Sequence, residues 1–284
     1  MVSVSRRART LSREILNQLM LFALGLVMIY PVLWMVASSF KPNTEIFGSA
    51  SLLPRSFNLD NYARGWRFVG KTTFTTFFAN SLYYVALATV GTVFSSALVA
   101  FGFARVRFRG RAAAFVAMFV TLILPYQVIM IPQFIIFQKL GWVNTFTPLI
   151  LPMFLGQPFF IFLMVQFIRG IPMELDESAW IDGCRTFGIF WRIIFPLITP
   201  AIITTTIFSF YWRWDDFLGP LLYLNKTRLY TVSLALRMFS DPATSTDWGA
   251  IFAIGTLSLI PILIVFILFQ RYLVEGIATT GIKG

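Results

Sequence analysis

Six stretches without any charged side chain constrain what this chain can fold into more than any other feature. They lie between Glu14 and Lys41, Lys71 and Arg105, Arg111 and Lys139, Lys139 and Arg169, Arg192 and Arg213, and Asp247 and Arg271. Each contains at least 20 residues, and a helix needs about 20 to cross the roughly 30 Å hydrocarbon layer of a bilayer. The composition agrees, since 57% of residues are hydrophobic and 12% are charged, against about a quarter charged in soluble domains. The sequence therefore predicts a membrane protein.

The same windows predict an all-α fold with six transmembrane helices. We place these helices near residues 19–40, 77–104, 113–137, 147–168, 196–218 and 249–270. A β-barrel would need segments of about ten residues in which apolar and polar side chains alternate, whereas these windows are longer and apolar all round. The connecting segments reach only about 35 residues. We therefore expect residues 1–284 to form one transmembrane domain, with kinks at Pro125 and Pro132 in the third helix.

Arginine placement predicts the orientation of the helices. Four arginines precede the first helix, and Arg105, Arg107, Arg109 and Arg111 lie in the link between the second and third. Cytoplasmic segments are enriched in Lys and Arg, so both are expected in the cytoplasm, together with the loop 169–195 and the two termini. The first apolar run, at about 22 residues, is longer than that of a cleaved signal peptide.

The residue inventory excludes several kinds of chemistry. The chain has no histidine and a single cysteine, Cys184, so His-based triads, zinc sites and thiolate metal clusters are not expected. The segment from Gly276 to Gly281 is a near miss for a phosphate-binding loop, because Ile282 stands where that loop needs lysine. The formal charge of +11 is explained by topology and anionic lipid. We expect contact with a lipid membrane and none with nucleic acid.

The loop 169–195, between two apolar windows, carries sequence signals for two short helices. Pro172 suits the first position of a helix whose first turns carry three carboxylates, which the helix dipole favours. Gly183 is expected to end this helix as a C-terminal cap, and Thr186 to cap a second helix over Phe187–Phe195. Two short helices joined by a glycine turn would project from the membrane. An amphipathic linker lying on the lipid surface is the alternative, and the residues alone leave both open.

This part of the chain resembles the EAA loop of permease subunits from binding-protein-dependent ATP-binding-cassette (ABC) importers. The family pattern is EAA-x-x-DGA, a Phe six residues after the last Ala, and LP-x-x-x-P. The matching residues here are Glu177, Ser178, Ala179, Asp182, Gly183, Cys184, Phe190, Pro196 and Pro200. Departures are small, since Ser178 and Cys184 replace alanines and Phe195 replaces the leucine.

Three further stretches resemble the sugar-importing branch of that family, the maltose-permease G-type subunits. They are FQKLGWVNTFTPLILP (137–152), WRWDDFLGPLLYL (212–224) and QRYLVEGIATTGIKG (270–284). The resemblance implies a type I ABC importer permease fold in a bacterial plasma membrane, and a transport subunit rather than an enzyme. It implies import of a carbohydrate. A permease of the same class for a non-sugar solute, such as a polyol or glycerol phosphate, is the alternative.

The resemblance also implies partners and a mode of coupling. The partners are a second permease chain in a heterodimer, two ABC ATPase subunits and an extracellular solute-binding protein. ATP and Mg would be bound by the ATPase subunits, and no cofactor by this chain. The loop 169–195 would dock in a groove of an ATPase subunit, and the tail residues Ile282 and Lys283 would contact the same subunit.

Individual roles in the loop follow from the family pattern. The ATPase-coupling residues are Glu177, Ser178, Ala179, Asp182, Gly183, Phe190 and Pro196. Glu177 would pair with a basic residue of the ATPase, while Ser178 and Ala179 would allow close approach. Gly183 would allow the bend that seats the loop. Phe190 would anchor the second helix, and Pro196 would begin the fifth transmembrane helix and transmit the movement.

The far end of the fifth helix carries a second candidate site, a substrate path. Its residues are Tyr211, Trp212, Trp214, Asp215, Asp216 and Phe217, with Arg213 among them. Arg213 is 17 residues beyond Pro196, roughly 25 Å along a helix, and so near the outer hydrocarbon boundary. Aromatic faces beside carboxylates suit a sugar, which has apolar ring faces and hydroxyl edges. An interfacial belt of Trp and Tyr with snorkelling charges is the alternative.

Two other classes of protein are disfavoured. A proton- or sodium-coupled secondary transporter needs ionisable groups near the membrane midplane, and the six windows place none there. An intramembrane enzyme needs a nucleophile with a base or a metal, which the absence of histidine makes unexpected.

Overall fold

The computed structural model describes residues 2–49, 51–67, 72–238 and 246–281, with side chains from 13 to 271 within those ranges. These residues are predominantly α-helical, as predicted. The chain separates into two compact units, residues 1–69 with 239–258 and residues 70–238 with 259–284.

The described α-helices are numbered α1 to α15 in chain order. They are Val2–Ser38, Asn43–Ile46, Asp60–Trp66, Phe74–Arg105, Arg111–Ile123, Tyr126–Lys139, Thr147–Ile150, Pro158–Arg169, Glu174–Ile181, Thr186–Ile189, Phe195–Leu197, Thr199–Trp214, Leu218–Tyr223, Val232–Met238 and Trp248–Gly281. Two 3₁₀ turns, Leu151–Leu155 and Thr227–Leu229, and one π-helical turn, Phe190–Ile194, lie between them.

The first unit contains α1, α2, α3 and the start of α15. Trp34 of α1 packs edge-on against Phe252 of α15, with ring centroids 5.2 Å apart. Asn61 of α3 is fully buried and donates hydrogen bonds to two backbone carbonyls that follow α1, each at 2.8 Å. Arg64 forms an ion pair with Asp247, with Nε 2.9 Å from Oδ2. A polar network therefore ties the short helices of this unit together.

The second unit is organised around α4, which packs against α8 and α12. The fully buried positions of α4 include small side chains along the helix, among them Ala88, Thr92, Ser96, Ala97 and Ala100. Small residues let neighbouring helices approach closely, which is the usual way that helices associate in membranes. This helix therefore forms the centre of the second unit.

Several helices are long and apolar enough to cross a membrane. Among the described residues there are four such segments, Arg13–Ser38, Phe74–Arg105, Thr147–Arg169 and Trp248–Arg271. Two bent helix pairs also qualify if each pair is counted as one span, which gives up to six. The structure is thus that of a multi-pass helical protein.

The helix predicted over 113–137 is two helices. α5 and α6 meet at a bend of 100°, and Pro125 lies at this bend, immediately before α6. Proline disfavours a helical conformation in the residue before it, and Leu124 is extended, with φ −73° and ψ 118°. The predicted kink at Pro125 is confirmed. Pro132 lies inside α6 and does not end it.

The fourth and fifth predicted helices are also interrupted. The segment predicted over 147–168 passes from α7 through a 3₁₀ turn and resumes as α8 after Gly156 and Gln157. The segment predicted over 196–218 bends by 75° between α11 and α12, and α12 ends at Trp214, four residues early. The chain turns there because Asp216 accepts a hydrogen bond from the backbone N–H of Gly219, in the first turn of α13.

Candidate functional site

The loop 169–195 forms two helices joined by a left-handed turn. α9 begins two residues after Pro172 and ends before Gly183, whose φ is +82°. A side chain costs about 1–2 kcal/mol in this backbone region, so glycine suits the position as predicted. The predicted Thr186 cap is wrong, because Thr186 already belongs to α10 and Arg185 holds the cap position without a side-chain hydrogen bond.

One face of α9 is buried within the second unit. Asp176 and Ala179 lie one turn apart on this face, and both are buried. Ala179 belongs to an apolar cluster with Phe101 of α4 and Phe190. Phe190 is fully buried, with its ring centroid 5.3 Å from that of Phe101. The small side chain of Ala179 therefore allows close contact inside this subunit, and Phe190 joins the second helix of the loop to α4.

The remaining surface of the loop carries large, solvent-exposed apolar side chains. Ile181 is 86% exposed, and Trp180 and Phe187 are more than half exposed. Exposed apolar groups of this size fit contact with another protein or with the lipid surface, the two alternatives that the residues leave open. The polar residues predicted for coupling that are exposed on the same loop are Glu177, Ser178 and Asp182. The predicted tail contacts, Ile282 and Lys283, lie outside the described residues.

A buried ion pair joins the loop to the end of α4. Nε of Arg105 lies 3.1 Å from Oδ2 of Asp176, and the two side chains are 6% and 8% exposed. Nη2 of Arg105 donates to the carbonyl of Ile171 at 2.7 Å, and Nη1 contacts the sulfur of Met173. Burial raises the pKa of Asp176 above its ordinary value, against the opposing effect of the Arg105 charge.

A cavity of about 410 Å³ lies elsewhere in the second unit. Sites for small molecules usually fall between about 300 and 1,000 Å³. Its wall combines aromatic rings with polar groups from α4, α6, α12 and the turn after α12. Those with polar atoms or large rings include Tyr84, Tyr126, Gln133, Trp212, Arg213 and Asp215.

The predicted substrate-path residues divide into two groups. Those that line the cavity are Trp212, Asp215, Asp216 and Phe217, together with Arg213. Trp214 lies instead in an apolar cluster, 5% exposed, stacked on Phe210 with ring centroids 5.7 Å apart. Tyr211 is exposed and is not part of the cavity wall.

Asp216 organises the cavity wall. Its Oδ2 accepts a hydrogen bond from the hydroxyl of Tyr84 at 2.9 Å, and its Oδ1 accepts one from the N–H of Gly219 at 3.1 Å. A Cβ on Gly219 would lie 2.6 Å from Oδ2 of Asp216, so any larger residue there requires a neighbouring side chain to shift. Both carboxylate oxygens of Asp216 are thus used within the subunit, whereas the neighbouring Asp215 is exposed.

Arg213 brings a positive charge to the cavity without an ion pair to either neighbouring aspartate. Its Nη2 contacts the sulfur of Met153. In the part of the chain that the structure describes, the ion pairs are Arg64 with Asp247 and Arg105 with Asp176. Arg213 also interacts with the hydroxyl of Tyr84, so it belongs to the same polar group of the cavity wall as Asp216.

Sequence reasoning missed residues that other helices bring to both sites. Tyr84 and Gln133 are polar groups inside apolar windows, and in the sequence Arg105 indicates only topology. A polar group in such a window must find a partner or face a polar cavity. That rule could have selected Tyr84 and Gln133, but it could not have named their neighbours.

Comparison with known proteins places the chain in context. The family model described as "Binding-protein-dependent transport system inner membrane component" matches residues 93–279. The chain is 38% identical to the "Probable ABC transporter permease protein YurM" of Bacillus subtilis (strain 168), over 93% of this chain and 87% of that protein. It is 31% identical to the "Arabinooligosaccharides transport system permease protein AraQ" of Halalkalibacterium halodurans, over 92% and 93% of the two chains.

A solved structure has the same fold. The crystal structure of a bacterial ABC transporter involved in the import of the acidic polysaccharide alginate contains a chain that matches with a TM-score of 0.81. The match covers 91% of this chain and 95% of that chain, at 22% sequence identity. The arrangement of helices described above is therefore that of an ABC importer permease.

Proposed function

Because the chain belongs to the family of binding-protein-dependent transport system inner membrane components, we propose that it is the transmembrane subunit of an ATP-driven importer of a carbohydrate. As a transport component it is not an enzyme. The carbohydrate assignment is supported by the names of similar proteins, which refer to arabinooligosaccharides and to alginate. The observation that carries it in this chain is the cavity.

The wall of the cavity suits a polyhydroxylated ring. Trp212 and Tyr126 offer aromatic faces, which pack against the apolar face of a sugar. Gln133, Arg213 and Asp215 offer donors and acceptors for hydroxyl groups. We assign these residues to the substrate path, with Asp216 and Phe217 shaping its wall. Trp214 supports the path from behind, and Tyr211 lies beside it.

The loop 169–195 serves as the coupling segment to an ATPase subunit. Its inward face is buried in this subunit, and its outward face presents Trp180, Ile181 and Phe187 with Glu177 beside them. An apolar surface with a charged rim has the anatomy of a protein–protein interface. Glu177 pairs there with a basic residue of the ATPase, and the tail residues Ile282 and Lys283 contact the same subunit.

The complex that this function requires has further chains. It comprises a second permease subunit, two ATPase subunits that bind ATP and Mg, and an extracellular solute-binding protein, while this chain binds no cofactor itself. The chain forms a single domain of six spans in a bacterial plasma membrane, and each bent helix pair counts as one span. Both termini and the coupling loop lie in the cytoplasm, in keeping with the arginines at 105–111.

The function is tested by uptake into proteoliposomes that contain the purified complex, with ATP enclosed on the coupling-loop side. The solutes are radiolabelled arabinotriose, maltotriose and glycerol 3-phosphate, each offered with the binding protein. We expect uptake of an oligosaccharide that requires both ATP and the binding protein. Uptake of glycerol 3-phosphate alone would replace the sugar with a non-sugar solute. Uptake driven by a proton or sodium gradient without ATP would refute the importer.

A further inference from the structure

We infer that α4 transmits movement between the coupling loop and the cavity, with Arg105 holding the loop at its C-terminal end and Tyr84 holding Asp216 from its N-terminal half. This inference rests on the proposed function, because it concerns how ATPase movement reaches the substrate path. It assigns positioning roles to Arg105, Asp176 and Tyr84. None of these residues needs to touch solute or ATPase to act in this way.

At the loop end, one guanidinium group holds three points of the chain. Arg105 contacts the carbonyl of Ile171, the sulfur of Met173 and the carboxylate of Asp176, all within the segment that begins α9. The guanidinium is planar, so its two Nη contacts, to Met173 and Ile171, fix its orientation. The approach of Nε to Oδ2 of Asp176 adds an ion pair that lacks hydrogen-bond geometry. The pair is buried, and water therefore screens it little. A displacement of α9 therefore displaces the end of α4.

Between its ends α4 is an uninterrupted helix. It runs from Phe74 to Arg105 without a proline. Tyr84 and Arg105 are 21 residues apart, or about 32 Å at 1.5 Å per residue. The route through Pro196 into the fifth helix passes instead through the 75° bend between α11 and α12. An uninterrupted, well-packed helix transmits a push along its axis better than a bent pair does, because a sharp bend marks a break in the helical hydrogen-bond ladder.

At the cavity end, α4 holds the turn that carries the substrate-path residues. The hydroxyl of the buried Tyr84 donates to Asp216, whose other oxygen accepts from the N–H of Gly219. One turn earlier, the hydroxyl of Ser81 accepts a hydrogen bond from the N–H of Val232 at 2.8 Å. The same end of α4 thus fixes both the turn after α12 and the start of α14. Movement of Tyr84 moves Asp216 and with it the cavity wall.

The test measures whether α9 and α4 move as one body in the assembled complex. Nitroxide labels are placed at Leu175→Cys on α9, outside the proposed docking surface, and at Leu98→Cys on α4, both exposed in this subunit, in a Cys184→Ser background. The distance between the labels is measured without nucleotide and after trapping with ATP and orthovanadate. In the otherwise unchanged chain we expect the same distance in both states. In Arg105→Gln we expect the distance to change on trapping.

A second readout follows ATP hydrolysis stimulated by the binding protein. Coupling between sites is typically worth 5- to 150-fold, so we expect stimulation to fall about tenfold in Arg105→Gln. Asp176→Asn, which keeps the side-chain size, and Tyr84→Phe, which removes only the hydroxyl, should lower it in the same direction. Arg109→Gln is the matched control, because Arg109 is exposed and its loss removes the same charge from the same segment. We expect this control to behave as the unchanged chain does.

The outcomes separate this inference from the proposed function. If the unchanged complex shows no stimulation by the binding protein, the proposed function fails. If it does, and Arg105→Gln and Asp176→Asn retain both the constant label distance and full stimulation, α4 is not the transmitting element. Lower thermal stability with unchanged stimulation would likewise refute the inference and leave a purely structural ion pair. Should Arg105→Gln fail to assemble, the isosteric Asp176→Asn decides.

Discussion

Replacing Gly219 by alanine should damage the cavity through a single added carbon. A Cβ at this position would lie 2.6 Å from Oδ2 of Asp216 and 2.9 Å from Cδ2 of Leu149. Neither distance is compatible with van der Waals contact, so the carboxylate, the leucine or α13 must move. Because Oδ2 is the oxygen that accepts the hydrogen bond from Tyr84, a shift of Asp216 weakens that bond as well.

The size of the effect follows from these two consequences. Overpacking a filled site costs about 1–3 kcal/mol, and a hydrogen bond to a charged group contributes about 1.5–3 kcal/mol. The two costs overlap, since moving Asp216 relieves the contact that the new carbon makes, so we expect a total of about 2–3 kcal/mol. At about 2–4 °C per kcal/mol for a chain of this size class, the melting temperature should fall by roughly 4–12 °C.

The assay is thermal unfolding of the detergent-solubilised complex, followed by the fluorescence of the eight tryptophans of this chain. Gly102→Ala is the control, because a Cβ there meets no heavy atom within 4 Å and alanine favours a helix by up to about 1 kcal/mol over glycine. In a Tyr84→Phe background the cost of Gly219→Ala should shrink, since the hydrogen bond is already absent. Equal melting temperatures for Gly219→Ala and Gly102→Ala would refute the reasoning.

Three further predictions concern other parts of the chain. Gly183→Val should abolish uptake at normal membrane abundance, because φ is +82° at this position and valine avoids that backbone region. An added Cβ meets no other atom there, so Gly183→Asn, which tolerates a positive φ, should retain most uptake. Equal uptake by the two variants would contradict the need for a left-handed turn. Trp212→Ala should impair uptake while the ATPase still co-purifies, and unchanged uptake would remove Trp212 from the path. Burial raises the pKa of Asp247, but hydrogen bonds from Arg64, Ala250 and Asn43 outweigh that effect and hold the pKa below its ordinary 3.8. The ionised carboxylate therefore stabilises the folded chain above pH 3.8, and this stabilisation is lost as the pH falls through the lowered pKa. Asp247→Asn should flatten the pH dependence of the melting temperature in that range.

The two helices and the turn of the loop 169–195 were predictable because their signals are local. The position of Gly183 after a run of helix-forming residues indicates a left-handed cap, and the structure has φ +82° there. The bend at Pro125 is local in the same sense, since a proline constrains the residue before it. The start of the second helix was harder to predict, because Thr186 is compatible both with a cap and with a first helical residue. The neighbouring turn decides between them.

The candidate cavity was only half predictable. The cluster from Trp212 to Phe217 stands out in the sequence, and four of its predicted members line the cavity. Asp216 is bonded within the subunit while Asp215 is exposed, and this difference depends on Tyr84, which lies 132 residues away from Asp216 in the sequence. Trp214 has the same local surroundings as Trp212, and its burial against Phe210 depends on where α12 ends and which side of it faces α4.

The sequence by itself determined the class of protein, the positions of its apolar windows and the helix–turn–helix character of the loop 169–195, because each of these is a property of contiguous residues. Only the tertiary structure decided which helix faces meet, and hence the contacts of Arg105 with Asp176 and of Tyr84 with Asp216. The physical reason lies in the solvent. Lipid is as apolar as a protein core, so the hydrophobic pattern of a membrane helix does not show which side is buried. The pairing of its few polar groups then depends on how the helices rotate and pack.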